Sequence, residues 1–172
     1  MRIQIDKSCL IFSHIGVPYN CFRNALYSPE ELYDHYTEGA PESYRECYDY
    51  KVYEHYLAMG KTATDIKETL ARTLHDHAMS DALHDFLAQW DERRVVGIMG
   101  GHGLLRSDLA YRKVVTLGKR LTEQGFLMVS GGGPGAMEAT HLGAWMAGRT
   151  MEEVDAVMEI LAEAPSYEDA LW

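Results

Sequence analysis

The sequence is short of basic residues and has no long apolar run, and each shortage excludes a class of protein. It has 16 Lys and Arg against 26 Asp and Glu, a formal net charge of −10, which gives no general attraction to nucleic acid or to anionic membranes. No stretch reaches the roughly 18 consecutive apolar residues of a membrane span, and the first residues lack the pattern of a secretory signal peptide. We therefore expect a cytoplasmic protein with neither a nucleic-acid nor a membrane partner.

Cysteines and clustered metal ligands are also scarce. The three cysteines have no CxxC spacing and are Cys9, Cys21 and Cys47. An odd count without this spacing argues against a disulfide framework or a zinc knuckle, so we expect reduced thiols. His77, Asp81 and His84 would share one helix face, but no fourth ligand accompanies them and acidic surface helices often show such spacing. We expect neither a metal ion nor another cofactor.

The composition that remains is that of a globular protein with two regions. Its 172 residues, 47% of them hydrophobic, suit one ordinary domain or two small ones. The character of the sequence changes near residues 91–94, which predicts a mainly helical N-terminal region, residues 1–92, and a second region, residues 93–172. In the first region, residues 3–5 and 9–13 are candidate short strands. The helices expected there span residues 29–37, 42–59, 63–74 and 77–90.

The second region has the pattern of a βαβ unit. Two uninterrupted apolar runs, residues 95–99 and 126–129, are typical of parallel strands that are covered on both faces. The helix between them is expected to begin at Ser107 or Asp108 and to end at Gly125. Its apolar positions recur at helical spacing and are Ala110, Val114, Leu117 and Leu121. With a further helix over residues 152–162, the pattern predicts an α/β fold.

The segment VSGGGPGAMEA, residues 129–139, joins the second strand to a helix. Pro134 suits a first helical position and Gly133 supplies backbone freedom before it, so bare amides at a helix start are predicted to bind a phosphate. The loop after the first strand lies at the same sheet edge, where ligands bind in open α/β sheets. Its Arg106 offers two parallel donors for a phosphate or a carboxylate. The alternative is a tight turn whose helix is capped by Glu138.

The helix behind these glycines carries small residues at fourfold spacing, which are Gly135, Ala139, Gly143 and Ala147. Positions four apart form one continuous track, so we expect this face to lie against the sheet and His141 to face outward. The segment Gly131-x-Gly133-x-x-Ala136 matches the dinucleotide-binding fingerprint only in form. About 20 residues further on, a helix is expected in place of the strand that would end in an acidic residue.

The stretch VVGIMGGHG…RSDLAYRKVVTLGKRLTEQGFLMVSGGGPGAMEATHLGA, within residues 94–148, resembles the LOG proteins, particularly their larger relatives that hydrolyse nucleoside 5′-monophosphates. GGGPGAMEA and the small-residue helix behind it carry most of the likeness. The resemblance implies a Rossmann-like parallel sheet and cleavage of the N-glycosidic bond to a free base and ribose 5-phosphate. We also expect an oligomer of identical chains, such as a dimer. The residues expected to line the nucleotide and phosphate site are Gly100, Gly101, Arg106, Gly131, Gly132, Gly133, Gly135, Ala136 and Glu138.

The sequence departs from the LOG pattern at one point. LOG enzymes carry a second motif, PGGxGTxxE, whose glycines grip the phosphate and whose glutamate acts on the ribose and base, and these 172 residues contain no such motif. The catalytic residues are therefore unassigned, and Glu138 is not given that role. Two parallel strands also bury too little area for a stable sheet. We expect the front half of a longer protein; alternatively, the N-terminal strands or a partner chain complete the sheet.

Three functions stay open, in a definite order. The favoured one is the nucleotide-binding part of a LOG-type nucleoside 5′-monophosphate N-glycosidase, in which this chain alone does not cleave. The second is a nucleotide sensor or carrier with the same fold and no chemistry. The third is an interaction module, for which the hint is a set of tyrosines at helical spacing, Tyr44, Tyr48, Tyr53 and Tyr56.

Overall fold

The computed structural model describes residues 16–169, and the chain forms two compact units separated between Leu87 and Ala88. This division lies a few residues before the one expected from the sequence, because a helix ends at Leu87. The candidate strands at residues 3–5 and 9–13, together with Cys9, lie outside the described residues. Cys21 and Cys47 are buried free thiols.

The first unit is helical. It contains α1 (Pro29–Leu32), a 3₁₀ turn (Pro41–Glu46), α2 (Tyr48–Met59) and α3 (Ile66–Leu87). Ser28 and Glu31 form a capping box at the start of α1. The mainly helical character expected for this region is confirmed for the residues described.

The extents expected for these helices were wrong in three places. The first helix stops at Leu32, and Thr37 then pairs with Ala40 in an isolated bridge. The expected helix over 42–59 is broken at Cys47, whose ψ of 150° is extended backbone. The two expected helices over 63–74 and 77–90 are the single helix α3, because no Gly or Pro interrupts it.

The second unit contains a βαβ arrangement. Its elements are a 3₁₀ turn (Glu92–Arg94), β1 (Val95–Ile98), α4 (Leu109–Glu123), β2 (Leu127–Ser130), α5 (Ala136–Trp145) and α6 (Met151–Leu161). The two strands are parallel, with Ile98 opposite Ser130. The order of elements and the α/β class are confirmed, in a chain that is mostly helical. No helix within residues 16–169 is long and apolar enough to cross a membrane.

Helix α4 has the expected ends but a different buried face. Asp108 is its N-cap residue, although the Asp108 carboxylate accepts from the Leu105 amide instead of capping the helix. Gly125 follows the helix at φ +80°. The expected face was wrong, since Ala110 and Leu117 are exposed while Val114 and Leu121 are half-buried. Three of the buried residues lie one position further on, and they are Tyr111, Val115 and Gly118; the fourth is Lys119.

Helix α5 packs its small residues against α4, which corrects the expectation that they face the sheet. A Cβ built on Gly143 would lie 2.2 Å from the Val115 carbonyl oxygen, and one on Gly118 would lie 2.8 Å from the Thr140 carbonyl oxygen. The two helix backbones therefore touch at Gly118 and Gly143, where no side chain fits. Tyr111, Val115, Ala139, Met146 and Val154 form the core of this unit.

Candidate functional site

Two glycine-rich loops meet at one edge of the small sheet. One follows β1 and the other follows β2, and because the strands are parallel and in register at Ile98 and Ser130, both loops leave from the carboxyl ends of adjacent strands. That is the edge at which open α/β sheets bind ligands.

The loops touch backbone to backbone at Gly101 and Gly135. The Ala136 amide donates to the Gly101 carbonyl oxygen across 3.4 Å. A Cβ on Gly135 would lie 2.0 Å from that oxygen, and one on Gly101 would lie 2.8 Å from the Ala136 Cβ. Both glycines also have positive φ, +75° and +73°. These two glycines are therefore required by the fold, whatever the site binds.

The start of α5 differs from the sequence expectation. The helix begins at Ala136 with Gly135 as its N-cap, so Pro134 lies in the preceding turn. The left-handed backbone angles occur at Gly132 and Gly135 and not at Gly133. The Gly132 amide donates to the Ser130 hydroxyl across 3.1 Å. The amides of Gly133 and Gly135 donate to no group within the described chain, so bare amides are present at this helix start.

Arg106 and Glu138, each expected to act alone, form a salt bridge. The Arg106 Nε lies 3.0 and 3.1 Å from the two carboxylate oxygens, and its Nη2 donates to Oε1. Its Nη1 donates to the Ala164 carbonyl oxygen across 3.1 Å. The Arg106 side chain is 10% exposed. The Arg106 guanidinium thus donates to Glu138 and to the segment that follows α6, so it does not face an open space alone. Glu138 accepts from Arg106 instead of capping its own helix.

Tyr111 lies beside this ion pair. Its side chain is fully buried, and its hydroxyl has no hydrogen-bond partner among the described residues. Burial, together with the Glu138 charge, raises the pKa of Tyr111 well above its usual range. The phenol is therefore a neutral buried group next to a carboxylate.

Two cavities open on either side of Glu138. One, of about 220 Å³, is walled by His102, Arg106, Gly135 and Glu138 and by residues 165–168. The other, of about 320 Å³, is lined by Gly132, Gly133, Glu138, His141, Leu142 and Leu161. His141 is exposed, as expected, and its Nε2 lies 2.6 Å from the Ser130 Oγ. The Glu138 carboxylate thus borders both spaces.

The structure brings most of the sequence-predicted site residues to these two cavities. Gly132, Gly133, Gly135, Arg106 and Glu138 line one or both of them. Four others line neither, and they are Gly100, Gly101, Gly131 and Ala136. Of these, Gly101 holds the two loops together.

Sequence reasoning missed four contributors, which are His102, Tyr111, the Ser130–His141 pair and residues 165–168. The pairing of Arg106 with Glu138 had a signal, since Arg106 stands on the loop after β1 and the oppositely charged Glu138 in the first turn of the helix after β2. Residues 165–168 had none, because no pattern in the sequence ties them to the loop that they approach.

Neither the arrangement of possible metal ligands nor similarity to known proteins assigns a function to this site. His77 Nε2 lies 3.6 Å from an Asp81 carboxylate oxygen, and within residues 16–169 no group of three or more His, Cys, Asp or Glu side chains is arranged to hold a metal ion. In comparisons with known proteins, no family model matches the chain, and no curated protein or solved structure matches it significantly.

Proposed function

We propose that the two glycine loops of the second unit bind a nucleoside 5′-monophosphate, and that this unit is the nucleotide-binding part of a LOG-type N-glycosidase with a Rossmann-like sheet. The observation that carries the proposal is the meeting of the loops at Gly101 and Gly135, beside two cavities and bare amides. An oligomer of identical chains in the cytoplasm belongs to the same proposal.

The phosphate is assigned to the cavity of Gly132 and Gly133. There Gly133, whose amide is bare, lines the cavity a few residues before the start of α5, where the helix carries a partial positive charge, and His141 stands at the wall. The negative charge of Glu138 is balanced by Arg106, so it does not repel the phosphate as an isolated carboxylate would. The sugar hydroxyls are assigned to the Glu138 carboxylate, which accepts hydrogen bonds.

A second function, binding without cleavage, is supported by the Arg106–Glu138 pair. Cleaving an N-glycosidic bond builds positive charge on the ribose, and a carboxylate that stabilises this charge and orients water accelerates the reaction. Glu138 borders both cavities, but the Arg106 guanidinium offsets its negative charge, so it stabilises a ribose cation less than an unpaired carboxylate would, while its oxygens keep lone pairs for sugar hydroxyls. For the chain as described, we therefore propose nucleotide binding without base release.

Calorimetric titration with AMP, GMP, CMP and UMP tests the proposal on the parent and on two variants of one residue. Gly132 has φ +73°, and a Cβ added there would meet nothing within 4 Å; Asp and Asn both tolerate this backbone region. Gly132→Asp places a negative charge at the phosphate, whereas Gly132→Asn is its uncharged match. We expect at least one nucleotide to bind the parent, with affinity falling at least about tenfold in the Asp variant and by less than about threefold in the Asn variant.

Two results would remove this proposal. In the first, none of the four nucleotides binds to the folded parent. In the second, a nucleotide binds with the same affinity to the parent and to both variants, which places the phosphate away from Gly132.

A further inference from the structure

A second polar cluster lies in the first unit, between α2 and α3. Glu68 is 3% exposed and accepts hydrogen bonds from His55 Nε2 across 2.9 Å and from Arg72 Nε across 2.7 Å. Burial raises the pKa of Glu68, but the hydrogen bonds from His55 and Arg72 outweigh it and hold that pKa below its ordinary value. The cluster therefore contains an ionised buried carboxylate whose charge is balanced by Arg72.

Two buried polar atoms in this cluster have no hydrogen-bond partner among residues 16–169. They are the Tyr19 hydroxyl and the Arg72 Nη2, although Arg72 Nη1 donates to the Gly60 carbonyl oxygen across 3.0 Å. Burial and the Glu68 charge raise the pKa of the Tyr19 hydroxyl above its usual value, and the Arg72 guanidinium lies close enough to lower it in part. A buried donor without a partner is destabilising because it has lost its hydrogen bonds to water, so two of them side by side indicate a missing acceptor.

A cavity of about 240 Å³ lies at these two atoms. Its other walls include Val52, Tyr56 and His75, and the Tyr19 ring meets the His75 ring edge-on with centroids 5.1 Å apart. His75 is itself held by the Tyr27 hydroxyl at 3.0 Å. A cavity of about 150 Å³ has room for a benzene molecule, so this larger space, lined by aromatic and polar side chains, has room for a single substituted ring that carries a polar group.

The charges decide which kind of acceptor fits. Arg72 is already neutralised by Glu68, and a ligand carboxylate would add a second negative charge to a site in which burial strengthens the repulsion. A carbonyl oxygen accepts from both donors without that cost. We infer that this cavity binds an uncharged ring that carries a carbonyl oxygen, such as an aromatic or cyclic amide, with the oxygen accepting from Arg72 Nη2 and the Tyr19 hydroxyl. This inference does not depend on the function proposed for the second unit.

Three ring compounds test the inference against the full chain by ligand-observed NMR titration. Benzamide carries the neutral carbonyl, benzoate carries a carboxylate, and ethylbenzene has no acceptor. We expect benzamide to bind at least about fivefold more tightly than either of the others, because only benzamide satisfies both donors without adding charge. Equal binding of benzamide and ethylbenzene would show that the carbonyl oxygen adds nothing to binding and would contradict the inference. Tighter binding of benzoate would overturn the charge argument. If benzamide does not bind, water is the only acceptor left for the two donors, and the inference is wrong.

Two variants locate the binding. Tyr19→Phe removes one donor, so benzamide affinity should fall about 3- to 10-fold, the equivalent of one hydrogen bond. Val52→Phe fills the cavity and should abolish binding. The matched control, Tyr36→Phe, removes an exposed hydroxyl elsewhere in the unit and should leave the affinity unchanged. Unchanged affinity in both Tyr19→Phe and Val52→Phe would place benzamide elsewhere and contradict the inference.

Discussion

Buried charges in the described residues come with bonded partners. The two charged side chains that are buried are Glu68 and Lys119; the first is paired with His55 and Arg72, and the second with Glu123. Removing a lone charge from water costs several kcal/mol, so each pairing offsets a cost that the chain would otherwise bear. The same logic explains why Arg106, 10% exposed, lies against Glu138.

Glu68 makes the stability of the first unit depend on pH. Its folded-state pKa lies below its ordinary value, which is about 4.3, so the unfolded chain binds the proton more readily. The stabilisation is complete above the unfolded-state pKa and is lost as the pH falls through the folded-state pKa. We expect stability to drop below about pH 4.3, and Glu68→Gln to lose about 3 kcal/mol at pH 7 because it removes the negative charge that balances Arg72.

Tyrosine absorbance during urea unfolding checks this at pH 7, 5 and 3. The Glu68→Gln variant should show a smaller change between pH 5 and pH 3 than the parent. If both proteins lose stability equally over that interval, the acid sensitivity belongs to other carboxylates.

At the scale of elements, close contact of α4 with α5 organises the second unit. The backbones touch at Gly118 and Gly143, and the core residues Tyr111, Val115 and Ala139 lie along the same contact. The contact also aims the α5 N-terminus at the loop after β1, because Gly135 begins the helix and packs on Gly101. The glycines therefore position the candidate site as well as forming part of it.

Gly143→Ala is expected to destabilise the second unit, although alanine ordinarily stabilises a helix by about 1 kcal/mol relative to glycine. The new Cβ would lie 2.2 Å from the Val115 carbonyl oxygen, so the helices must separate, and overpacking of this kind costs about 1–3 kcal/mol. His141→Ala on the same helix loses one exposed hydrogen bond to Ser130 and should cost at most about 1 kcal/mol.

Thermal unfolding followed by tryptophan fluorescence compares the two variants, since Trp90 and Trp145 lie in the second unit. A Gly143→Ala protein that melts at or above the parent temperature would mean that α5 is rotated or shifted relative to α4.

The strands and glycine turns were predictable because their signals are local. Apolar runs gave β1 and β2 to within a residue, and Gly125 ended α4 as expected. The buried face of α4 was not predictable, since a two-stranded sheet and α5 both cover it and its buried positions include Gly118 and Lys119, which no apolar pattern marks. The expectation that the small residues of α5 lie against the sheet was wrong for a similar reason. A helix face made of small residues packs against another helix as well as against a sheet.

The site was predictable in its backbone and not in its side chains. The two loops were placed correctly at one sheet edge, because parallel strands end on the same side. The salt bridge of Arg106 with Glu138, and the unsatisfied Tyr111 hydroxyl beside it, depend on distances between segments far apart in sequence. Such contacts leave no periodic signal in a single sequence.

On the scale of the whole molecule, the two units differ in composition. Nine of the 11 tyrosines precede Leu87 and all three tryptophans follow it, so tyrosine absorbance and tryptophan fluorescence report mainly on different units. A polar cavity between α2 and α3 and a glycine-loop site at the sheet edge give each unit its own candidate ligand.

The whole chain is expected to release no base from nucleoside monophosphates above background. Glu138 is the carboxylate that lines the cavity assigned to the phosphate, and its negative charge is offset by Arg106, so it gives the ribose cation little stabilisation. Chromatography of incubations with AMP and UMP detects free adenine or uracil. Release that disappears in Glu138→Gln would show that Glu138 is catalytic and that this part of the account is wrong.

The most direct test of the central claim is an amide NMR titration of the full chain with AMP, GMP, CMP and UMP in turn. The largest shifts for a binding nucleotide are predicted to fall on the amides of Gly132, Gly133 and Gly135, and inorganic phosphate at higher concentration should shift the same amides. Nucleotide binding that leaves these three amides unmoved, or no binding of any of the four, would contradict the claim that the glycine loops hold a nucleotide phosphate.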